Sequence, residues 1–93
     1  MTFSEENYLK IIYHLGQERQ EEVTTNAIAE AMQTKASSVT DMLKKLHEKG
    51  WVEHKKYQGV SLTKEGAKNA LLVIRKHRLW EVFLVEKLHF SWD

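Results

Sequence analysis

The 93-residue sequence predicts a mainly α-helical fold with one small β-hairpin, in the order helix, helix, helix, hairpin, long helix. Three observations lead to this prediction. Apolar residues recur at helical spacing in four segments, two short strand-like segments flank a turn that contains glycine, and the absence of proline permits long unbroken helices. A chain of this length forms one domain, or one domain and part of a second.

The first helix is expected to begin at Ser4, whose hydroxyl can cap a first turn that contains Glu5 and Glu6. Gly16 is expected to end it, and the polar residues 17–24 are predicted to form a loop. The apolar residues at helical spacing between these points are Tyr8, Ile11, Ile12 and Leu15.

Two shorter helices follow. The second is predicted to run over residues 26–32 with Thr25 as its cap. The third is predicted to start at Ser37 or Ser38, with Asp41 as the partner in a variant of the capping box. The side chains expected to face inward are Ile28, Ala29 and Met32 on the second helix, and Val39, Met42, Leu43 and Leu46 on the third.

The hairpin is expected to follow Gly50, which is well placed as the left-handed residue that ends the third helix. Residues 51–54 and 60–62 are predicted to form its two strands. The turn between them, residues 55–59, contains Gly59, which can adopt a positive φ.

The fourth helix is predicted to start after Thr63 as its cap, with Glu65 on its first turn, and to continue to about Leu88. Its second half has almost no polar face. A helix that is apolar all round must be buried all round, so residues 79–92 need a further surface. A second protomer, a further C-terminal domain, or both could supply that surface.

Two short helices joined by a tight turn and followed by a two-stranded hairpin form the winged helix-turn-helix arrangement. The turn carries Gln33 and lacks the glycine that is often found there. A three-helix bundle with an added hairpin is the alternative interpretation of the same pattern.

The charge is unevenly distributed, although the net charge is only +1. Residues 35–68 contain eight lysines and four acidic residues, whereas residues 1–34 are acidic overall. A local basic region on a nearly neutral chain indicates contact with a polyanion at one face. A solvated lysine-rich face is the alternative.

The start of the third helix has the properties of a DNA-reading element. One helix fits the major groove, and a helix N-terminus suits a phosphate. Ser37 and Ser38 are small enough to allow close approach. Asp41 could accept a hydrogen bond from a cytosine amino group or close the capping box, and we favour the cap. The predicted DNA-binding residues are Thr25, Asn26, Lys35, Ser37, Ser38, Thr40, Asp41, Lys44, Lys45, Lys55, Lys56, Tyr57 and Gln58.

Few of these groups can read bases, and most can contact phosphates. Duplex binding is therefore expected to depend strongly on salt, to discriminate moderately between sequences and to require dimerisation.

The long helix also carries a candidate metal pair. His77 and Glu81 are four residues apart, so an imidazole nitrogen and a carboxylate on one helical face could share a divalent metal. An ordinary ion pair between the two side chains is the alternative.

Three segments of the chain resemble the diphtheria toxin repressor and manganese transport regulator family of iron- or manganese-dependent repressors. They are SEENYLKIIYHL, IAEAMQTKASSVTDMLKKLHEKGWVEHKKYQGVSLTKEG and RKHRLWEVFLVEKL. The resemblance implies a homodimeric repressor that binds a palindromic operator in double-stranded DNA when Mn²⁺ or Fe²⁺ is abundant. It implies a winged helix-turn-helix DNA-binding domain over residues 1–63. Residues 64–93 would be a linker helix and the start of a metal-binding and dimerisation domain.

The same resemblance implies that His77 and Glu81 are metal ligands. Asn7 stands where the family places a methionine or aspartate ligand, and Lys10 stands where manganese-type members have a glutamate. The family's remaining ligands lie past residue 93, so the site would be incomplete in this chain.

Several classes of protein are not expected. The chain has no cysteine, no secretory signal and no long apolar run, so a cytoplasmic location without membrane contact is predicted. It has no nucleophile–base set and no phosphate-binding loop, so neither an enzyme nor a small-molecule substrate is expected. The alternative function is a metal-independent winged-helix module that binds another protein.

Overall fold

The computed structural model describes residues 1–19, 23–55 and 59–88. Its elements, in chain order, are α1 (Phe3–Arg19), α2 (Thr25–Met32), α3 (Ala36–Glu48), β1 (Val52–Lys55), β2 (Gly59–Leu62) and α4 (Lys64–Leu88). Four helices and one antiparallel hairpin in this order confirm the predicted fold class.

Both predicted ends of α1 were wrong. Thr2, not Ser4, caps the helix: its hydroxyl accepts the backbone N–H of Glu5 at 3.1 Å, and the Glu5 carboxylate accepts the N–H of Thr2 at 2.8 Å. The helix also continues past Gly16 to Arg19. A glycine inside a helix costs only about 1 kcal/mol relative to alanine, so it does not by itself end the helix.

The caps of α2 and α3 also differ from the prediction. Thr24, one residue earlier than expected, caps α2 by accepting the N–H of Ala27 at 3.0 Å. Lys35 is the N-cap residue of α3, and within the described residues no side chain caps that end of the helix. Asp41 therefore lies inside α3, and the favoured interpretation of it as a capping residue was wrong.

The turn between α2 and α3 depends on Gln33. This residue adopts the left-handed conformation, with φ 54° and ψ 47°, and its N–H returns to the last turn of α2. The geometry that glycine usually supplies is therefore present without glycine.

The core lies where α1, α2, α3 and the hairpin meet. The inward-facing residues predicted for α2 and α3 are confirmed: Ile28, Val39, Leu43 and Leu46 are buried, while Ala29, Met32 and Met42 pack against them. Together with Tyr8, Ile12, Val23, Val52 and Val60 they form one cluster. The helical periodicity of the sequence therefore identified the correct faces.

The hairpin pairs Val52 with Leu62 at one end and Lys55 with Gly59 at the other. Val23, in the segment predicted to be a loop, adds an isolated antiparallel bridge to Val60, with N···O distances of 2.9 and 2.8 Å. Gly59 has φ 100°, and a Cβ there would lie 2.5 Å from the Val23 carbonyl oxygen. The predicted positive φ at Gly59 is confirmed, and the glycine also permits this close backbone approach.

Helix α4 begins as predicted. The Thr63 hydroxyl accepts the N–H of Gly66 at 3.0 Å and donates to the Gly50 carbonyl at 2.6 Å, which joins the start of α4 to the end of α3. Gly50 has φ 79°, as predicted for the residue that ends α3. Gly66 lies against the backbone of Trp51, where a Cβ would meet the carbonyl oxygen at 1.8 Å.

The second half of α4 extends away from this core, and the molecule measures 47 × 25 × 25 Å. Its large apolar side chains are exposed: 63% for Leu79, 59% for Trp80, 45% for Val82 and 42% for Phe83. The expectation that the rest of the chain leaves this segment uncovered holds for these four residues. Across the part of the chain that the structure describes, no helix is both long and apolar enough to traverse a membrane.

Candidate functional site

The exposed face of α3 is the candidate nucleic-acid interface. Val39, Leu43 and Leu46 are buried, and the 3.6-residue period of the helix places Ser37 and Asp41 on the opposite side. All the α3 residues predicted to touch DNA are exposed: Ser37, Ser38, Thr40, Asp41, Lys44 and Lys45. One face of the helix is thus held in the core while the other is open along its length.

Three contacts, besides the Thr63–Gly50 hydrogen bond, hold the C-terminal end of α3. The N–H of Trp51 donates to the carbonyl of Leu46 at 3.0 Å, and Nδ1 of His47 lies 3.1 Å from the carbonyl oxygen of Val52. The third contact is the ion pair between Lys49 and Glu5 of α1. These contacts fix the direction in which the exposed face points, as a rigid reading element requires.

Glu5 is an unusual carboxylate because it is buried, with only 3% of the residue exposed. The hydrogen bond from the Lys49 ammonium, aided by the N–H of Thr2, lowers the pKa of Glu5 to about 2 against the opposing effect of burial. Lys49 also lies over the ring of Trp51, 5.0 Å from its centroid. Lys49 therefore serves the fold, whereas Lys44 and Lys45 extend into solvent.

The polar groups of α3 have different surroundings. The Thr40 hydroxyl donates to the Ala36 carbonyl at 3.0 Å. Asp41 is exposed and lies inside the helix, so its carboxylate belongs to the open face. Lys35, the N-cap residue, is exposed at the start of that face.

The other predicted DNA-binding residues lie on α2 and the hairpin. Thr25 is half-buried and Asn26 is exposed, both in the first turn of α2. Lys55 ends β1 opposite Gly59. The remaining three predicted contacts, Lys56, Tyr57 and Gln58, lie outside the described residues, as does the side chain of Lys55.

The described residues do not contain a complete metal centre. Among the described residues, no hydrogen bond or ion pair joins His77 to Asn7 or Glu81, and no three histidine, aspartate or glutamate side chains are placed to hold a metal. Glu81 is exposed and Asn7 is half-buried. Because metal centres in proteins generally need at least three protein ligands, the described residues do not fit a metal centre by themselves.

The carboxylate that meets His77 is Glu6, which the sequence pattern marks only as an acid in the first turn of a helix. Oε1 of Glu6 lies 3.6 Å from Nε2 of His77, and its Oε2 accepts a hydrogen bond from the Lys76 ammonium. The Lys76 hydrogen bond and, to a smaller extent, His77 lower the pKa of Glu6 although burial opposes them. Nothing local in the sequence pairs residues 70 positions apart, so only the packing of α1 on α4 reveals this cluster.

An apolar groove of about 560 Å³ lies beside this cluster. Its lining residues are Phe3, Glu6, Lys76, His77, Leu79, Trp80 and Phe83. The Trp80 and Phe83 rings are stacked with their centroids 5.2 Å apart, and the Phe3 ring lies 6.3 Å from the ring of His77.

Two family profiles match the chain. Residues 1–60 match the N-terminal DNA-binding domain of the iron-dependent repressors, and residues 63–93 match their metal-binding and dimerisation domain.

Individual proteins give the same result. The chain is 39% identical over 88 residues to an uncharacterised helix-turn-helix transcriptional regulator of Methanocaldococcus jannaschii, covering 95% of this chain and 70% of that protein. It is 40% identical over 83 residues to the transcriptional regulator MntR of Oceanobacillus iheyensis, covering 89% of this chain and 56% of MntR. The structure of the manganese regulator SloR superimposes with a TM-score of 0.82 and 44% identity, over 98% of this chain and 42% of SloR. The chain thus spans about half the length of MntR and SloR.

Proposed function

Because the chain belongs to the iron-dependent repressor family, we propose that it is the DNA-binding portion of a metal-dependent transcriptional repressor. The observation that carries this proposal is the open face of α3. Its small hydroxyl residues are exposed at the N-terminal end, and its lysines are exposed one to two turns further on. This arrangement suits insertion into the major groove, with phosphates contacted on either side.

In the proposed complex, α3 enters the groove with Ser37 and Ser38 leading. The free backbone N–H groups of its first turn and the positive end of its dipole favour a phosphate at that point. Lys35, Lys44 and Lys45 would neutralise further phosphates. Asp41 would accept a hydrogen bond from a cytosine amino group, the role left open once capping is excluded.

The residues of α2 and the hairpin tip would contact the DNA backbone beside the groove. Thr25 and Asn26 are placed for a phosphate at the start of α2. Residues 55–58 stay predictions, since the structure does not describe the tip.

A homodimer on a palindromic operator is the proposed assembly. Two copies of α3 must lie about one turn of DNA apart, roughly 34–36 Å, to read both half-sites. The exposed apolar segment of α4 supports a dimer interface at that end, because Leu79, Trp80 and Phe83 are costly to leave in water. Residues 64–93 would then belong with the dimerisation region, as the family resemblance implies. Such a role agrees with the predicted cytoplasmic location and with a protein that is not an enzyme.

Metal dependence is proposed at the level of the family, with Mn²⁺ or Fe²⁺ as the ion. The similar protein SloR is a manganese regulator. His77, Glu81 and Asn7 stay predicted ligands. Since the described residues do not fit a metal centre by themselves, no step of DNA binding is assigned to the ion.

The test is the salt dependence of duplex binding, measured by fluorescence anisotropy with a mixed-sequence duplex of about two helical turns. A DNA-binding protein loses affinity steeply as salt rises, with a slope near −0.9 per neutralised phosphate. Lys44→Gln should reduce that slope by about one, while Arg75→Gln, at an exposed residue of α4 outside the basic region, should leave it unchanged. Duplex binding that does not change with salt would favour the protein-binding alternative. The similar proteins named above do not support that alternative.

Ser38→Glu is a second test of the same docking. It places a carboxylate against phosphate at the tip of α3 and should reduce duplex binding by at least about tenfold. Ser4→Glu, at an exposed serine of α1, is the matched control and should bind as the unaltered protein does. Equal binding by both variants would refute the docking of α3.

A further inference from the structure

The junction between α1 and α4 contains one carboxylate with two basic neighbours. Glu6, in the first turn of α1, accepts a hydrogen bond from the Lys76 ammonium through Oε2 and lies 3.6 Å from His77 Nε2 through Oε1. The side chains of Glu6 and His77 are only 12% and 18% exposed, whereas that of Lys76 is 61% exposed. Lys76 therefore reaches in from solvent to an otherwise covered pair.

A carboxylate this little exposed needs a compensating positive charge. The Lys76 ammonium donates a hydrogen bond to that carboxylate. The chain thus provides its own counter-ion at the point where α1 meets α4. A divalent cation between Glu6 and His77 would compete with Lys76 for the carboxylate and would lie within a few ångströms of its charge, where repulsion is strong.

We propose that Lys76 is a built-in cation that links α1 to α4 in place of a divalent metal, and that it keeps metal away from the Glu6–His77 pair. Without the ammonium, the carboxylate and the imidazole form a two-ligand site for a borderline divalent transition metal, since both donor types suit such ions. The inference goes beyond the proposed DNA binding and bears on the proposed metal dependence, because it makes Lys76 a competitor for any metal that approaches the predicted ligand His77 from the side of Glu6.

Lys76→Met tests the proposal, because it keeps most of the side-chain length and removes the charge. Zn²⁺ alone is the probe, since it binds nitrogen and oxygen donors more tightly than Mn²⁺ or Fe²⁺. Calorimetric titration gives its affinity, and thermal unfolding in EDTA or in Zn²⁺ reports whether the ion stabilises the fold. Lys76→Arg retains the charge, and Arg75→Met removes a neighbouring exposed charge, so both are matched controls.

The expected result is specific to the one variant. Lys76→Met should bind Zn²⁺ at least about tenfold more tightly than the unaltered protein. Its melting temperature should fall by a few degrees in EDTA and recover in Zn²⁺. The two controls should match the unaltered protein, and Glu6→Gln combined with Lys76→Met should abolish the gain.

Three results would overturn the inference. The first is that Lys76→Met and the unaltered protein bind Zn²⁺ with equal affinity. The second is that the gain in affinity persists when Glu6→Gln is added, and the third is that Zn²⁺ stabilises the unaltered protein as much as it stabilises the variant. No DNA is present in these measurements, so their failure would leave the proposed function standing.

Discussion

Gly66→Ala and Gly16→Ala make the same chemical change in two helices, and we expect opposite effects on the free energy of unfolding. Both glycines lie inside helices, α4 and α1 respectively. Alanine is a better helix former than glycine by about 0.8–1.0 kcal/mol. At Gly16 the added Cβ would meet only a methyl group of Val23, at an ordinary 3.9 Å. Gly16→Ala should therefore stabilise the protein by up to about 1 kcal/mol.

At Gly66 the same atom would lie 1.8 Å from the carbonyl oxygen of Trp51 and 2.7 Å from its carbonyl carbon. Reaching even 3.0 Å requires about 1.2 Å of movement of α4 against the end of α3. That carbonyl also accepts the N–H of Thr63 at 3.0 Å, so the movement strains or breaks this bond.

The cost combines two effects. Overpacking costs about 1–3 kcal/mol, and losing the hydrogen bond with its acceptor partly buried costs about 1–3 kcal/mol. The better helix propensity of alanine offsets just under 1 kcal/mol of this destabilisation. We expect a net destabilisation of about 1–5 kcal/mol for Gly66→Ala, centred near 3 kcal/mol.

Urea unfolding followed by circular dichroism measures both variants under the same conditions. For a chain of this size, the loss corresponds to a fall in melting temperature of about 10 °C or more. If Gly66→Ala were as stable as Gly16→Ala, the close seating of α4 on the Trp51 backbone would be refuted.

Three further predictions concern the caps and the core. The pKa of Glu5 is lowered to about 2, so its carboxylate contributes stability above about pH 4.5 that is lost as the pH falls toward 2. Glu5→Gln should therefore be about 1–2 kcal/mol less stable than the unaltered protein at pH 7. Unfolding measured at several pH values should show this difference vanish near pH 2. Gly50→Ala should cost about 1–2 kcal/mol of unfolding free energy, because φ at Gly50 is 79°; the space around a Cβ there is open, so no clash adds to the cost. Gly50→Asn should cost less in the same urea assay, because asparagine tolerates the left-handed conformation. Ile28→Ala, at a residue with 0% exposure, should cost about 2–5 kcal/mol, and a cost under 1 kcal/mol would place Ile28 outside the core.

The helices of this protein were predictable because their signals are local. The stripe of Val39, Leu43 and Leu46 follows from a period of 3.6 residues, which sequence alone reveals. Helix ends were less predictable. Thr24 and Thr25 are adjacent hydroxyl residues, and either can cap α2 by its chemistry. The folded structure selects Thr24, whose hydroxyl accepts the N–H of Ala27.

The candidate DNA interface was also predictable only where its signals are local. The exposed residues of α3 were identifiable from the side of the helix opposite its apolar stripe. The role of Lys49 was not, because its partner Glu5 is 44 residues away. Three lysines near the end of α3, Lys44, Lys45 and Lys49, look alike in the sequence, and only packing separates the one that holds the fold from the two that face solvent.

The sequence by itself determined the order of elements, the buried faces of α2 and α3, and the concentration of lysines in the middle of the chain. Each depends on residues a few positions apart, so periodicity and composition record it directly. The tertiary structure alone decided that Val23 pairs with Val60, that Gly66 lies against Trp51, and that Glu6 meets Lys76 and His77. These contacts join distant positions, and their energies depend on which surfaces are brought together when the helices pack.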